Sequence, residues 1–247
     1  MATSPNVRIY LNKSDQCQCE PTCNRPAQPG QAFCEYHQSK ERCKRISPLS
    51  GYEPKFDPMR FNNNPKVKDI HNCFAYAFDH MDMPTSDKCN NNTCNVSFHQ
   101  PGRQSGYPKW HKINGKRCPD LLARLFADVP GLKSTTFTQK CPPKTSKIAI
   151  VVDPKEDYHF YRQDSNGMWS HKPGSTDVSN KDSTGRPIYD PELASRDYRK
   201  KSGRLNYSAF CSFLCTPRTV RHHFKRGGRR KTRRKTRRKT QRKTQRR

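Results

Sequence analysis

The scarcity of apolar residues limits how much of this chain can fold into a core. Only 30% of the 247 residues are hydrophobic, and the mean hydropathy is −1.16. Globular chains normally contain a larger apolar share, so we expect one compact domain with polar flanking segments. We place this domain at residues 67–217. The flanking segments are a disordered N-terminus (1–16), a cysteine-rich module (17–45), a linker (46–66) and a basic tail (218–247).

The linker over residues 46–66 is rich in proline and asparagine, and Pro48, Pro54, Pro58 and Pro65 are spaced along it. Proline lacks a backbone N–H and has a fixed φ angle, so this spacing predicts neither regular helix nor strand. We expect the linker to follow the surface of the domain.

Within the domain, the spacing of apolar residues distinguishes helices from strands. Residues 74–78 place phenylalanine and alanine side chains on one face of a helix that begins at Cys73. Residues 120–129 form a second amphipathic helix, which ends before Pro130. The short apolar run at 147–152 is typical of a buried strand. Helices that precede strands predict an α+β fold with a small antiparallel sheet.

A hairpin is predicted directly after this strand. Residues 157–162 alternate between two faces and carry His159, and residues 164–167 (DSNG) form a turn sequence. The returning strand contains His171, which is therefore expected to lie beside His159. Residues 208–214 supply a further strand.

Cys73 and His159 together suggest thiol chemistry. A cysteine in the first turn of a helix faces unpaired backbone N–H groups and the positive end of the helix dipole, which both favour the thiolate. An imidazole such as His159 can take the thiol proton and return it to a leaving group, and His171 would orient that imidazole. Asp164 is the rival for the orienting role, although its place in the turn favours a capping function. Taken singly, each residue could also be a structural group of the core.

The order of a cysteine on a helix, a histidine on a strand and a polar residue on the next strand resembles that of NlpC-type peptidases and amidases, which are small papain-like enzymes. The resemblance covers residues 46–217. It implies a papain-like fold with Cys73 as nucleophile, His159 as base and His171 as orienting group, acting on a peptide or amide substrate. This chain departs from the pattern in the long interval before His159, where residues 89–94 form a cysteine-rich insertion that would line the substrate groove.

Three phrases spread over the chain also resemble proteins of giant DNA viruses. They are SPLSGYEP at 47–54, HNCFAYA at 71–77 and WSHKPG at 169–174, and a lysine- and arginine-rich tail follows them. This resemblance implies a viral origin and a location in the host cytoplasm or the viral factory, with packaging in the virion as an option. The chain has no apolar run of the length of a membrane span or a signal peptide, which predicts a soluble protein made in the cytosol.

The cysteine-rich module offers two close pairs of ligands for a structural zinc ion, Cys19 with Cys23 and Cys34 with His37. Four ligands of this type suit a tetrahedral Zn²⁺, which would stabilise a segment too short to form a core. Cys17 and Cys43 are alternatives for Cys19 or His37. Phe33 and Tyr36 are expected to pack over the site. The other interpretation is a reduced and disordered cysteine-rich arm.

The chain contains twelve cysteines but no export signal, which favours metal binding or thiol chemistry over a disulfide framework. Six of them follow Cys73 in the chain: Cys89, Cys94, Cys118, Cys141, Cys211 and Cys215. We expect these six to be buried reduced thiols. The alternatives are a second zinc site and, if the protein matures inside an oxidised virion, disulfides.

The tail gives the chain much of its formal net charge of +28. Its Arg-Arg-Lys-Thr repeats contain no apolar residue, so the tail cannot form a core and is expected to be disordered when free. Its cations predict sequence-independent contacts with nucleic acid or another polyanion, without stacking on bases because aromatic residues are missing from the repeats. The candidate residues are Arg229, Arg230, Lys231, Arg233, Arg234, Lys235, Arg237, Arg238 and Lys239. A solubility or nuclear-targeting segment is the alternative.

These features lead to two classes of function. The first is a papain-like cysteine hydrolase, either a peptidase or an amidase, of a large DNA virus, with a zinc module and a tail that binds nucleic acid. The second is a non-enzymatic virion or nucleoprotein component, in which a degenerate hydrolase fold carries the zinc module and the tail. Fold resemblance alone does not decide between them.

Overall fold

The computed structural model describes residues 46–113, 116–202, 204–219 and 224–226, the segment 33–38, and single positions at 17, 19, 23, 25, 26, 28 and 222. The predicted N-terminal segment 1–16 and the candidate tail residues between 229 and 239 lie outside these residues. Cys43, an alternative zinc ligand, also lies outside them.

The described chain is an α+β structure built on one five-stranded antiparallel sheet, as predicted. The strands lie in the order β1-β5-β2-β3-β4. Their bounds are β1 Lys133–Thr135, β2 Thr145–Val152, β3 Tyr158–Gln163, β4 Trp169–Ser170 and β5 Ala209–Pro217. The helices are α1 Glu35–Gln38, α2 Met59–Asn62, α3 Pro65–Ile70, α4 Cys73–Ala77, α5 Cys118–Asp128 and α6 Arg199–Ser202, with short 3₁₀ turns at Ser86–Lys88 and Trp110–Lys112.

Strand β2 is the centre of the sheet and is buried on both faces. Alternate side chains of a strand point to opposite faces. Ile148 and Ile150 therefore pack with α4 and α5 on one face, which we call the helical face. Ala149 and Val151 pack on the other face against side chains from the segment between β4 and β5, which we call the loop face. A buried strand flanked by two apolar layers explains why 147–152 is an uninterrupted apolar run.

The amphipathic helix predicted at 120–129 is confirmed as α5. Its proline, Pro119, lies in the first turn, where the missing backbone N–H costs no helical hydrogen bond. Leu121 and Leu125 are fully buried on the face turned to the sheet. The chain leaves the helix through Gly131, whose φ of 85° suits glycine.

Two short helices, α2 and α3, begin within the predicted linker, so the prediction that 46–66 lacks regular structure is wrong. Pro58 stands at the N-cap of α2 and Pro65 in the first turn of α3, positions that tolerate proline. The side chain of Asn64 accepts hydrogen bonds from the first backbone N–H groups of α3. Phe61 of α2 is fully buried, so this segment belongs to the core.

The core also extends beyond the predicted end of the domain at residue 217. Phe224 is buried, and its ring centroid lies 4.5 Å from that of Phe74 in α4. The guanidinium of Arg226 contacts Asp82, with Nη2 2.5 Å from Oδ1. A single phenylalanine within a basic stretch has no apolar periodicity around it, and this is why composition placed the boundary too early.

The six cysteines that follow Cys73 form disulfides, so the prediction of reduced thiols is wrong. The pairs are Cys89–Cys94, Cys118–Cys211 and Cys141–Cys215. Two of these disulfides link strand β5 to other elements: Cys118–Cys211 links it to the start of α5, and Cys141–Cys215 links it to the segment before β2. Pairing at separations of 93 and 74 residues depends on the sheet topology and leaves no signature in local spacing.

No helix in the described ranges has both the length and the apolar character that a bilayer crossing requires.

Removal of Cys118–Cys211 by a double serine substitution should lower the free energy of unfolding by about 4–5 kcal/mol, because the bond closes a loop of 93 residues. Removal of Cys89–Cys94 is the control, because a loop of 5 residues predicts a loss of only about 2 kcal/mol. Urea denaturation of both variants measures the difference. Equal losses would contradict the assigned pairing.

Candidate cysteine–histidine site and metal centre

The cysteine-rich module gathers four metal-type ligands around His37. The Nδ1 atom of His37 lies 3.4 Å from Cys17 Sγ, 3.4 Å from Cys23 Sγ and 3.5 Å from Cys34 Sγ. All four ligand atoms lie within 4.8 Å of one another. The short helix α1 carries His37 and follows Cys34 directly, so the two ligands come from one tight turn.

These distances fit a tetrahedral ion. Zinc bonds of about 2.3 Å to sulfur and about 2.0 Å to nitrogen give an S···N edge of about 3.5 Å in a tetrahedron. The sulfur-rich donor set suits a soft or borderline ion such as Zn²⁺. The predicted set is therefore corrected at one position: Cys17 takes the place of Cys19, which is disulfide-bonded. Local spacing could not separate Cys17 from Cys19, because both precede Cys23 by only a few residues.

The module packs against the domain through aromatic rings. Phe33 is buried, and its ring centroid lies 5.0 Å from that of Tyr189. Tyr36 remains half exposed and contacts His37 at 4.9 Å between centroids. The prediction that both aromatic residues cover the metal ligands is thus confirmed for Phe33, whereas Tyr36 only flanks the histidine.

Cys73 is the first residue of α4, as predicted. Asn72 is the N-cap: its Oδ1 accepts a hydrogen bond from the Ala75 backbone N–H at 3.2 Å, and its Nδ2 donates one to the His99 carbonyl at 3.0 Å. Helix α4 packs on β3, and the backbone N–H groups of Phe160 and Phe74 donate hydrogen bonds to the sulfur of Cys73. The sulfur therefore lies beside the strand that carries His159.

Burial dominates the ionisation of this thiol. Cys73 is 5% exposed, and burial raises its pKa well above the ordinary value, an effect that Asp157 reinforces. The N–H groups of Phe160 and Phe74 lower the pKa but do not offset this. The expectation of a stabilised thiolate is therefore wrong for this conformation, because a helix terminus contributes only about 0.3–1 kcal/mol.

His171 lies beside His159, as the hairpin predicted. His159 Nε2 and His171 Nδ1 are 2.7 Å apart, and His171 Nε2 lies 2.9 Å from the Lys181 carbonyl oxygen. A carbonyl can only accept, so His171 carries its proton on Nε2 and its Nδ1 accepts from His159 Nε2–H. His159 Nδ1 is then the unprotonated nitrogen, and it makes no hydrogen bond within the described residues.

Both imidazoles are held neutral. Burial lowers the pKa of His159 well below its usual range, and His171 adds to this. Burial lowers the pKa of His171 to about 4, although the Lys181 carbonyl opposes the shift. The resting arrangement is a neutral thiol with two neutral imidazoles, and His159 has the tautomer that a general base requires.

No hydrogen bond joins Cys73 to His159 in the part of the chain that the structure describes. Cys73 belongs to the cluster on the helical face, together with Tyr158 and Phe160. His159 stands between these two residues in β3, so its side chain points to the loop face, where it contacts the ring of Tyr161 at 5.1 Å. The thiol and the imidazole thus lie on opposite faces of β3 and do not contact each other.

Asp164, the rival orienting residue, is engaged elsewhere. Its Oδ1 accepts a hydrogen bond from Arg162 Nε at 2.9 Å, and both side chains are buried. Its backbone N–H donates to the Met168 carbonyl across the hairpin turn. The carboxylate pairs with the buried Arg162, and the backbone N–H closes the turn, in keeping with the capping role predicted for Asp164.

Lys172 is a residue of this site that the sequence argument missed. Its ammonium donates to the carbonyl oxygens of Lys68 at 2.6 Å, His71 at 2.6 Å and Gly174 at 2.8 Å. It thereby ties the segment after β4 to the turn that precedes Cys73. A lysine directly after His171 was visible in the sequence, but only the fold brings it to His71.

A cavity of about 570 Å³ opens next to this pair of strands. His171 lines it, together with Asp177, Asp182, Tyr198 and Lys201. The cavity therefore reaches His171, but not His159, from the loop face, on the side away from the thiol.

The metal centre predicts that replacing two different reduced cysteines, Cys17 and Cys73, has different effects on metal binding. Cys17→Ser should abolish binding of one thiolate-ligated ion per chain, whereas Cys73→Ser should leave it unchanged because Cys73 lies outside the cluster. Thiolate-to-Co²⁺ charge-transfer absorption of the cobalt-loaded protein measures this. Equal loss in both variants would contradict the assigned ligand set.

The buried His171 predicts an acid-sensitive fold. Its pKa is about 4 in the folded protein against 6.5 in the unfolded chain, so the unfolded state binds more protons between these values. The free energy of unfolding should fall by about 3 kcal/mol on account of this residue as the pH drops from 6.5 to 4. Urea denaturation at several pH values should show a shallower dependence in His171→Asn. The exposed-site variant His111→Asn should retain the full dependence.

Comparison with known proteins gives one informative relative. A search of protein-family models finds no match, and no solved structure matches. Insoluble matrix shell protein 1 of Ruditapes philippinarum is 37% identical to this chain over 142 residues, which cover 58% of this chain and 81% of the relative. Identity at this level over most of the relative's length indicates common descent, and the chain therefore belongs to the family of insoluble matrix shell protein 1.

Proposed function

We propose that this protein is a papain-like cysteine hydrolase that cleaves a peptide or another amide, with Cys73 as nucleophile and His159 as general base. The observation that carries the proposal is the hydrogen-bond relay from His159 through His171 to the Lys181 carbonyl. This relay leaves a lone pair on His159 Nδ1. A general base needs such an unprotonated ring nitrogen to take the thiol proton.

The proposed chemistry conserves every proton. The thiol of Cys73 gives its proton to His159 Nδ1 while the sulfur bonds to the carbonyl carbon, and backbone N–H groups near Cys73 hold the oxyanion. His159 then protonates the departing amine as the C–N bond breaks, which leaves a thioester. Water attacks the thioester and gives its proton to His159; the C–S bond then breaks, the acid is released, and His159 returns this proton to the sulfur of Cys73.

Reaction requires a movement that brings the two groups together. The thiol is 5% exposed and His159 2% exposed, and the burial of both keeps the thiol protonated. The cavity beside His171 lies on the loop face, so the same movement would have to connect it to Cys73. We propose that the closed arrangement is a resting state, and that substrate binding rearranges α4 and the start of β3 so that the His159 side chain leaves the loop face and its Nδ1 meets the sulfur.

The remaining parts of the chain fit accessory roles in this proposal. The cluster of Cys17, Cys23, Cys34 and His37 would hold a structural zinc ion. The basic tail would bind nucleic acid or another polyanion through phosphate-type contacts. A viral origin stays part of the proposal, on the three sequence phrases given above.

A non-enzymatic role in an extracellular or virion assembly is the second candidate. It is favoured by the name of the relative, which is a shell matrix protein. The disulfides favour it as well, because such bonds persist in oxidising compartments and are rare in the cytosol. Under this alternative the histidine pair only stabilises the loop face of the sheet.

Labelling with an acyl-type electrophilic probe that mimics an amide carbonyl distinguishes the two candidates. Under the enzymatic proposal, peptide mass spectrometry should find the adduct on Cys73, and His159→Ala should slow labelling by at least about 100-fold because the base is lost. His111→Ala changes an exposed histidine outside the site and should leave the rate unchanged. Cys73→Ser should abolish the adduct.

The opposite result is equally clear. If Cys73 is labelled as slowly as a buried thiol that has no catalytic base, the hydrolase proposal fails and the matrix role stands. The same conclusion follows if the His159→Ala and His111→Ala variants are labelled at the same rate. Circular dichroism of each variant confirms that the comparison is made between folded proteins.

A further inference from the structure

We propose a second metal site in this protein, formed by His80, Asp82 and His99, which takes a borderline divalent transition ion such as Zn²⁺ or Co²⁺. This inference is independent of the proposed hydrolase activity. His80 and Asp82 follow the end of α4 in the chain. The site contains no sulfur ligand, so it differs chemically from the cysteine-rich cluster.

The geometry brings three suitable donor atoms together. His80 Nε2 lies 3.8 Å from Asp82 Oδ1, and His99 Nε2 lies 3.5 Å from Asp82 Oδ2. One ligand atom from each of the three residues lies within 4.8 Å of the others. Bonds of about 2.0–2.2 Å to one ion would hold such atoms about 3.0–3.5 Å apart, so small side-chain rotations complete the site.

The ring nitrogens of these histidines lack other partners. His99 is fully buried; within the described residues its Nδ1 makes no hydrogen bond, and its Nε2 has only the long contact of 3.5 Å with Asp82 Oδ2. Among the same residues, His80 Nε2 makes no hydrogen bond either. Buried polar atoms without partners are rare in folded proteins and call for an explanation such as an ion. An ion between the three side chains would bind the lone pairs of His80 Nε2 and His99 Nε2 together.

The donor set indicates the kind of ion. Two imidazoles and one carboxylate suit Zn²⁺, Co²⁺, Ni²⁺ or Fe²⁺, whereas Mg²⁺ and Ca²⁺ prefer sites built from oxygen atoms. Each imidazole can offer one ring nitrogen to such an ion, and the carboxylate adds an oxygen.

Neighbouring residues hold the carboxylate in place. Arg226 reaches both oxygens of Asp82 and also donates to the Ile70 carbonyl at 3.0 Å. His71 donates from Nδ1 to the Val67 carbonyl at 2.7 Å, so its Nε2 accepts the Asp82 backbone N–H at 3.2 Å. These contacts orient Asp82 as outer-shell partners do in metal sites, and each carboxylate oxygen keeps a lone pair for the ion.

The position of the site gives the ion a structural consequence. The His99 carbonyl accepts a hydrogen bond from Asn72, the residue that caps α4. An ion bound to His80 and His99 would therefore tie the long insertion to both ends of α4. It would hold the helix that presents Cys73, whatever the reactivity of that thiol.

The test isolates this site from the cysteine-rich one. In the full chain carrying Cys17→Ser and Cys34→Ser, Co²⁺ is added to the metal-free protein and visible absorption is recorded. We expect one tightly bound Co²⁺ per chain, with ligand-field bands but without thiolate charge-transfer absorption. Adding His80→Ala should weaken binding by at least about tenfold, whereas adding His111→Ala should not.

Two results would overturn the proposal. One is the absence of stoichiometric Co²⁺ binding in the chain with the two serine substitutions, and the other is equal affinity in the His80→Ala and His111→Ala variants. The His80 side chain is 10% exposed whereas that of His99 is fully buried, so replacing His80 disturbs the core less, and circular dichroism verifies folding. A rise in Tm on adding Co²⁺, lost in His99→Ala or His80→Ala, is the expected second readout.

Discussion

Burial of strand β2 on both faces is the constraint on which the rest of this structure depends. From Ser146 to Val152 the strand is buried, with its odd and even residues in different apolar clusters. One cluster receives α4 and α5, and the other receives the long segment between β4 and β5. Because β2 also pairs with both β3 and β5, its register fixes where His159 and the two disulfide-bonded cysteines of β5 lie.

Cross-links compensate for the small apolar content of the chain. With 30% hydrophobic residues, the clusters on either face of the sheet are limited in size. Cys118–Cys211 and Cys141–Cys215 constrain the unfolded chain at wide separations, where the entropic effect is large. The ligand cluster of Cys17, Cys23, Cys34 and His37 belongs to a small buried cluster separate from those on the sheet. Covalent and coordinate bonds can thus supply stability that the core alone does not.

Burial has opposite effects on stability and on chemistry at the candidate site. The same packing that holds α4 against β3 raises the pKa of Cys73 and lowers the pKa values of both histidines. A neutral thiol and a neutral imidazole are compatible with a low-dielectric interior, whereas an ion pair would need close contact to offset desolvation. The hydrogen-bond relay through His171 fixes the tautomer of His159 without requiring charge. A site of this kind is inert when closed and depends on movement for any reaction.

The sequence by itself determined the local elements. The apolar periodicity of 120–129, the apolar run at 147–152 and the DSNG turn specified a helix, a strand and a hairpin, because these depend on nearest neighbours. The hairpin also sufficed to put His171 beside His159. The resemblance to NlpC-type enzymes and to viral proteins supplied roles for these residues, which remain predictions.

Tertiary structure alone decided everything that depends on distant partners. The disulfides, the return of Phe224 to the core and the grouping of His80, Asp82 and His99 join positions that no local pattern connects. The replacement of Cys19 by Cys17 among the metal ligands is of the same kind. The ionisation of Cys73 was also decided by the fold, because the cost of burying a charge depends on the whole environment, whereas the helix-dipole effect read from the sequence is local and smaller.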